Sequence, residues 1–309
     1  MKIKSFLYKK KKTLYNIPKK FFKNVFWETN ADNLYYGHYQ ILKNYSKTTL
    51  PYKINGEVQH GWSPDHGIAA NPLLHDKNKK KERYYLFNEQ NKNKSLKYGY
   101  SNIFLIGAPF IYLPNIQMHS EETSKKSIIF FPLHTHEYDL NRDPFHAYCN
   151  YLEELKKITK FFNFVTVCLG WREYVNKRII NLFKDQSIKV VTMGERDNNP
   201  GFLYKFKNIV RHHEYLSSDS FSSAIFYGLF MGKKVFLYGT NMGKGEKENW
   251  EGKLKNYNEF YHELYPELHW ENFNHKSYSE IGQRELGLDN RLTPGNLREV
   301  FGWSIKNIF

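Results

Sequence analysis

Four groups of residues in this sequence have types and spacings suited to chemistry. Ser217, Ser218, Ser220, Ser222 and Ser223 place five hydroxyls, with Asp219 among them, in seven residues. A short apolar stretch of helical character follows, from Ala224 to Met231, and closes at Gly232-Lys233, as a C-terminal glycine cap should. The first amides of such a helix lack intrahelical acceptors and carry the positive end of its dipole. Hydroxyls gathered there suit a phosphate. Ser and Asp are also the favoured N-caps of any helix, so ordinary capping is the competing reading. His60 and Asp65 sit in the glycine-bearing loop Gly56-Glu57-Val58-Gln59-His60-Gly61-Trp62-Ser63-Pro64-Asp65-His66-Gly67. Either can take a proton from an attacking hydroxyl as a general base. The plainer alternative is that they, like His66, hold the loop with hydrogen bonds. His134 and His136 follow an apolar run, with Glu137 and Asp139 nearby. Two His at i, i+2 invite a metal, yet no third ligand is spaced to complete the set. We expect no metal, and expect these His to donate to a diphosphate or support a sugar. Glu195, in the turn after residues 189–193, suits ribose hydroxyls or a base edge; a solvated turn residue is the alternative.

The surrounding sequence supplies elements to position these groups. Apolar runs at residues 102–112, 128–133, 164–169, 189–193 and 235–238 read as buried strands. Helical patterns at 144–162, 172–185 and 200–211 alternate with them, the first with Phe145, Tyr148, Leu152, Leu155 and Ile158 on one face. This alternation predicts an α/β fold with parallel, doubly wound sheets. Loops at the carboxyl ends of such strands are where ligands bind. We expect an N-terminal domain over 1–120, a second over 127–245, and C-terminal helices over 246–309 packing back across both. Residues 114–126 read as the linker.

Composition narrows the function classes. The chain has 309 residues and a net charge of +15, which calls for an anionic partner. Its 24 Tyr and 24 Phe fall mostly in core-like runs, and Cys149 and Cys168 offer neither a disulfide framework nor metal spacing. Residues 1–27 alternate Lys clusters with Phe, Tyr, Leu and Trp, as an anionic membrane surface would select; a surface helix with packed Phe is the alternative. No secretory leader and no membrane span is apparent, so the expectation is a cytoplasmic chain, either soluble or peripheral at the inner face of the membrane. A Walker A loop, a Gly-x-Gly-x-x-Gly turn and an Asp-x-Asp pair are all missing from the sequence.

The stretch Ser218-Asp219-Ser220-Phe221-Ser222-Ser223-Ala224-Ile225-Phe226-Tyr227-Gly228, followed by Lys234-Val235-Phe236-Leu237-Tyr238, resembles the donor-nucleotide motif of two-domain GT-B transferases. It is most similar to that of bacterial teichoic-acid glycerophosphotransferases, and also to the paired-Ser motif of CMP-sugar sialyl- and Kdo transferases. The His60 loop resembles the Trp-His-Gly-Thr-Pro loop of the first group, although here Trp62 follows the glycine. The resemblance implies two Rossmann-like domains with a cleft between them. It implies a nucleotide-activated donor, CMP- or CDP-linked, held by Ser218, Ser220, Ser222 and Ser223, with His60 or Asp65 as base. A glycan or lipid-linked acceptor of capsule, lipopolysaccharide or teichoic-acid type, and a metal-independent inverting transfer, complete what it implies. Two alternatives stay open: a basic nucleic-acid-binding protein, and a nucleotide-binding protein without catalysis.

Overall fold

The computed structural model describes residues 28–49, 52–68, 79–114, 124–133, 144–239 and 263–303. The basic N-terminal segment, His134 and His136 lie outside the described residues.

The first elements among the described residues are two short helices, α1 (Ala31–Leu34) and α2 (His38–Ser46), joined through a 3-10 turn at Tyr35–Gly37. Strand β1 (Glu57–Val58) leads into the His60 loop. Strand β2 (Arg83–Leu86), helix α3 (Glu89–Lys97) and strand β3 (Asn102–Leu105) follow. These three strands form a parallel sheet in the order β1-β2-β3. The apolar run 102–112, read as a strand ending at a Gly/Pro turn, leaves the sheet after Leu105 and ends in a 3-10 turn at Pro109–Tyr112. Gly107 and Pro109 explain the early stop: the first takes a φ of +69° and the second cannot donate to a ladder.

The second sheet is larger. It comprises β4 (Ser124–Phe131), β5 (Phe164–Leu169), β6 (Lys189–Thr192), β7 (His213–Ser218) and β8 (Lys234–Leu237). All neighbours are parallel, in the order β6-β5-β4-β7-β8. Parallel neighbours require crossovers, and helices supply them. They are α4 (Phe145–Thr159), α5 (Trp171–Tyr174) with α6 (Lys177–Lys184), α7 (Phe202–Val210) and α8 (Ser223–Phe230). The single helix expected over 172–185 is thus two: Asn176 takes an extended conformation and caps α6 by accepting from the Arg178 amide. The last helices among the described residues are α9 (Ser279–Glu285) and α10 (Pro294–Phe301). The architecture is a mixed α/β fold with parallel sheets, Rossmann-like in its strand order.

The chain leaves β4 towards β5 on one side and returns to β7 on the other. This reversal opens a crevice at the carboxyl ends of β4 and β7, the general ligand position in open α/β sheets. One hydrophobic core runs through both sheets, from Ile41, Tyr85 and Phe110 through Ile129, Leu216 and Phe226 to Leu297 and Phe301. Residues 285–292 are bonded back to the first sheet and its surroundings. The Asn88 amide donates to Glu285 O, the Ala108 N–H to Leu286 O, and the Tyr45 hydroxyl to Leu292 O.

Two buried histidines make this core acid-sensitive. His213 on β7 lies between Ile209 O and Thr166 Oγ1, at 3.0 and 2.9 Å, and burial lowers its pKa to about 4. Burial, and then the neighbouring His60, lower that of His38 to about 3. Both are folded in the neutral form, whereas an unfolded His titrates near ~6.5. The unfolded chain therefore binds more protons below that pH. Stability is fully present above it and falls as pH drops towards the folded values. Urea unfolding should show a loss of about 2 kcal/mol from His213 alone between about pH 7.5 and about pH 5. His213→Gln should flatten that slope; an identical slope in the variant would rule the assignment out.

Candidate functional site

A cavity of about 730 Å³ lies at the carboxyl ends of the larger sheet. One wall is built from strand exits. Phe131 ends β4 and Leu133 follows it, Gly170 to Arg172 follow β5, Gly194 to Asp197 follow β6, and Ser218 ends β7 with Ser222 to Ala224 beyond it. The facing wall comes from the first part of the chain. It carries Asp32, Tyr35 and Tyr36 from the α1–α2 region, and His60 to Ser63 from the loop after β1.

The serine cluster divides into two functions. Ser218 is 2% exposed, and its hydroxyl donates to Phe131 O at 2.6 Å. Asp219 accepts from the Leu133 amide at 2.8 Å. These two staple the end of β7 to the end of β4 and fix the floor of the crevice. Ser220 lies outside the lining, its hydroxyl 3.5 Å from Phe221 O. Ser222 is the N-cap residue of α8 by position, in extended conformation, yet its side chain makes no capping bond. It lines the cavity instead. Ser223 opens α8, and its hydroxyl accepts from the Trp62 amide at 2.9 Å.

That last bond joins the two walls. Gly61 passes so close that a Cβ there would lie 2.7 Å from Ser223 Oγ. Trp62 stacks on Phe226 of α8 with ring centroids 4.2 Å apart, and its indole N–H donates to Glu285 Oε2 at 2.7 Å. Gln59, 2% exposed, holds the same loop from below. Its amide donates to Gly61 O and its carbonyl accepts from the Phe87 N–H. His60 is therefore carried on a loop fixed at several points, within the same cavity as the start of α8.

The His60 ring is held from one side by two tyrosines. Tyr35 meets it edge-on with centroids 4.3 Å apart, and the Tyr36 hydroxyl is 3.3 Å from Nε2. Tyr36 adopts φ +55°, an uncommon conformation for an aromatic residue. Its N–H donates to Arg196 O at 2.8 Å, which ties this wall to the turn after β6. Strained backbone of this kind clusters at functional sites.

Charge in the cavity comes from both signs. Arg196 sits 5.2 Å over the Tyr35 ring and pairs with Asp197 at 3.2 Å. Arg172 lies 5.3 Å over the Trp171 ring and has no acidic partner among the described residues. Glu195 lines the cavity beside Arg196, and its backbone carbonyl accepts from the Asn199 amide at 2.7 Å. Among the described residues no group of three or more His, Cys, Asp and Glu is placed to hold a metal.

Of the residues singled out from sequence, His60, Glu195, Ser218, Ser222 and Ser223 share this cavity. Asp65 does not: it is exposed, and its N–H and C=O are engaged by Ser63 and Asn91. Sequence reasoning missed Arg172, Arg196, Tyr35 and Tyr36. The first two had a usable signal, since each follows a strand of the alternating pattern at its carboxyl end. The tyrosines had none, because only the fold brings α1–α2 to the cleft.

No helix among the described residues is long and apolar enough to cross a membrane. No family model matches the chain, and no curated protein matches it. Among solved structures it is similar to an S. aureus MnaA-UDP co-structure, at 10% identity and a TM-score of 0.37, over 60% of this chain and 50% of that one. The chain thus spans half the length of that protein, and a likeness this slight assigns neither family nor activity.

Proposed function

We propose that the chain is a GT-B-like transferase that moves a sugar, or a polyol phosphate, from a cytidine-linked nucleotide donor to a glycan or lipid-linked acceptor. Residues 127–245 would form the donor side, residues 1–120 the acceptor side, and 246–309 the segment that braces both. The observation that carries this reading is the position of Ser222. A serine at a helix start that caps nothing and lines a cavity offers its hydroxyl to a ligand, beside the first α8 amides.

In this reading the donor phosphates lie at Ser222 and the start of α8, with Arg172 and Arg196 in reach of the same cavity. Glu195 accepts from the ribose. The acceptor O–H gives its proton to His60 as its oxygen attacks the donor's anomeric carbon. The bond from that carbon to the phosphate oxygen breaks, and the electron pair leaves with the nucleotide. For a polyol phosphate the attack is at phosphorus instead. Arginine and helix amides stabilise the charge that develops on the departing phosphate.

Nucleotide binding tests the reading before any acceptor is known. Calorimetric titration with CMP, CDP, UDP and GDP should single out the cytidine nucleotides. Loss of a hydrogen bond to a charged phosphate costs about 1.5–3 kcal/mol, so Ser222→Ala should weaken binding by roughly tenfold or more. Arg172→Gln should weaken it further, and more steeply at low salt. Ser220→Ala, outside the lining, should leave affinity unaltered. If none of the four nucleotides binds, or if Ser220→Ala does the damage, the donor site is not where we place it.

A further inference from the structure

The stretch from Trp171 to Arg178 inverts the usual order of burial. Glu173, a carboxylate, is 2% exposed and turned inward, close enough to Tyr148 to help burial raise the phenol's pKa. Tyr174 and Val175 face outward, at 37% and 70% exposure, beside a partly exposed Trp171. Residues 171, 174 and 175 fall on one side of a helical turn. Lys177 and Arg178, both exposed, continue the strip into α6, whose inward side is Ile179 and Phe183. The outward side of residues 171–178 thus carries aromatic, aliphatic and basic groups, and its single acid is inside. Scattered exposed apolar residues need no explanation, but a contiguous set placed outward over a buried carboxylate does. Trp and Tyr beside Lys and Arg is the composition that the headgroup region of an anionic bilayer selects. The strip also borders the cleft, since Trp171 and Arg172 line it.

We infer that the outward side of α5 and the start of α6 is a docking surface for an anionic phospholipid bilayer. Docking there sets the mouth of the cleft against the membrane surface. The inference is independent of the transfer reading, because vesicle binding requires no donor and no turnover.

Co-sedimentation of the full chain tests it, using vesicles of phosphatidylcholine with about 30% phosphatidylglycerol against phosphatidylcholine alone. The chain should partition to the anionic vesicles only. Each basic side chain at such a surface contributes about 1 kcal/mol, so Lys177→Glu with Arg178→Glu should lower partitioning about 30-fold or more. Tyr174→Ser with Val175→Ser should lower it several-fold while leaving the salt dependence in place. Lys156 and Lys157, on the last turns of α4 at the other end of the sheet, are the control. Reversing their charge should leave partitioning unaltered. Failure of the parent chain to prefer anionic vesicles overturns the inference. So does unaltered binding in both strip variants, which would place the contact elsewhere, or an equal loss in the control, which would reduce it to net charge.

Discussion

Replacing His60 by Ala should lower transfer by about 10²–10⁴-fold while leaving nucleotide affinity unaltered, the effect expected of a lost general base. The geometry gives three reasons. His60 lies in the same cavity as the start of α8, on the wall facing the strand exits of the larger sheet. Its loop is fixed to α8 through the Trp62 N–H to Ser223 bond, so its distance from the start of α8 is set by the fold. Its ring is oriented by Tyr35 and Tyr36, and the Tyr36 hydroxyl at Nε2 bears on which nitrogen carries the proton. Tyr36→Phe should therefore act on the rate through the His60 tautomer, visible in the imidazole ¹⁵N shifts, and not through binding. Asp65→Asn separates the two candidate bases. Asp65 is exposed and outside the cavity lining, so this variant should turn over like the parent. Turnover lost in Asp65→Asn and kept in His60→Ala would reverse the assignment.

Much of the larger sheet is legible in the sequence because its strands are buried on both faces. Ile128 to Phe131, Val167 to Leu169 and Val235 to Leu237 are continuous apolar runs, and helical spacing separates them. The first sheet is harder to read. β1 is two residues long and β3 is only half-buried, so neither makes a strong pattern. The serine cluster was visible as a cluster, but its division was not. Ser218 and Asp219 are spent on the β4–β7 junction, and that partner lies 87 residues away for Ser218. Only the parallel register of β4 with β7 creates the contact. The cationic side of the cleft was hidden for a related reason. Arg172 and Arg196 look like solvated turn residues until the strand order β6-β5-β4 brings their turns to one end of the sheet.

The largest loss of stability from a single methyl group should come at Gly287. This residue has φ +66°, and a Cβ there would fall inside van der Waals contact of the Phe87 carbonyl group. The Phe87 carbonyl cannot easily retreat, because it accepts from the Asn290 side chain at 3.1 Å and directly follows strand β2. Leu286 is held as firmly on the other side, its carbonyl accepting from Ala108 at 2.8 Å. Left-handed strain and backbone overlap together should cost about 3 kcal/mol or more in Gly287→Ala. Thermal unfolding should move down by about 5 °C or more. Gly99→Ala calibrates the conformational part: φ is +87° there, but the nearest atom to a Cβ is the tip of Lys80 at 3.4 Å. It should cost about 1 kcal/mol. The difference between the two variants then reports the backbone overlap alone. Displacing residue 287 also reaches the cleft, since Glu285, two residues earlier, accepts the Trp62 indole N–H and so anchors the loop that carries His60. Gly287→Ala should accordingly lose turnover below its melting temperature, whereas Gly99→Ala should not. Equal stability in the two variants would mean that the C-terminal segment yields at Phe87 and does not brace the His60 loop.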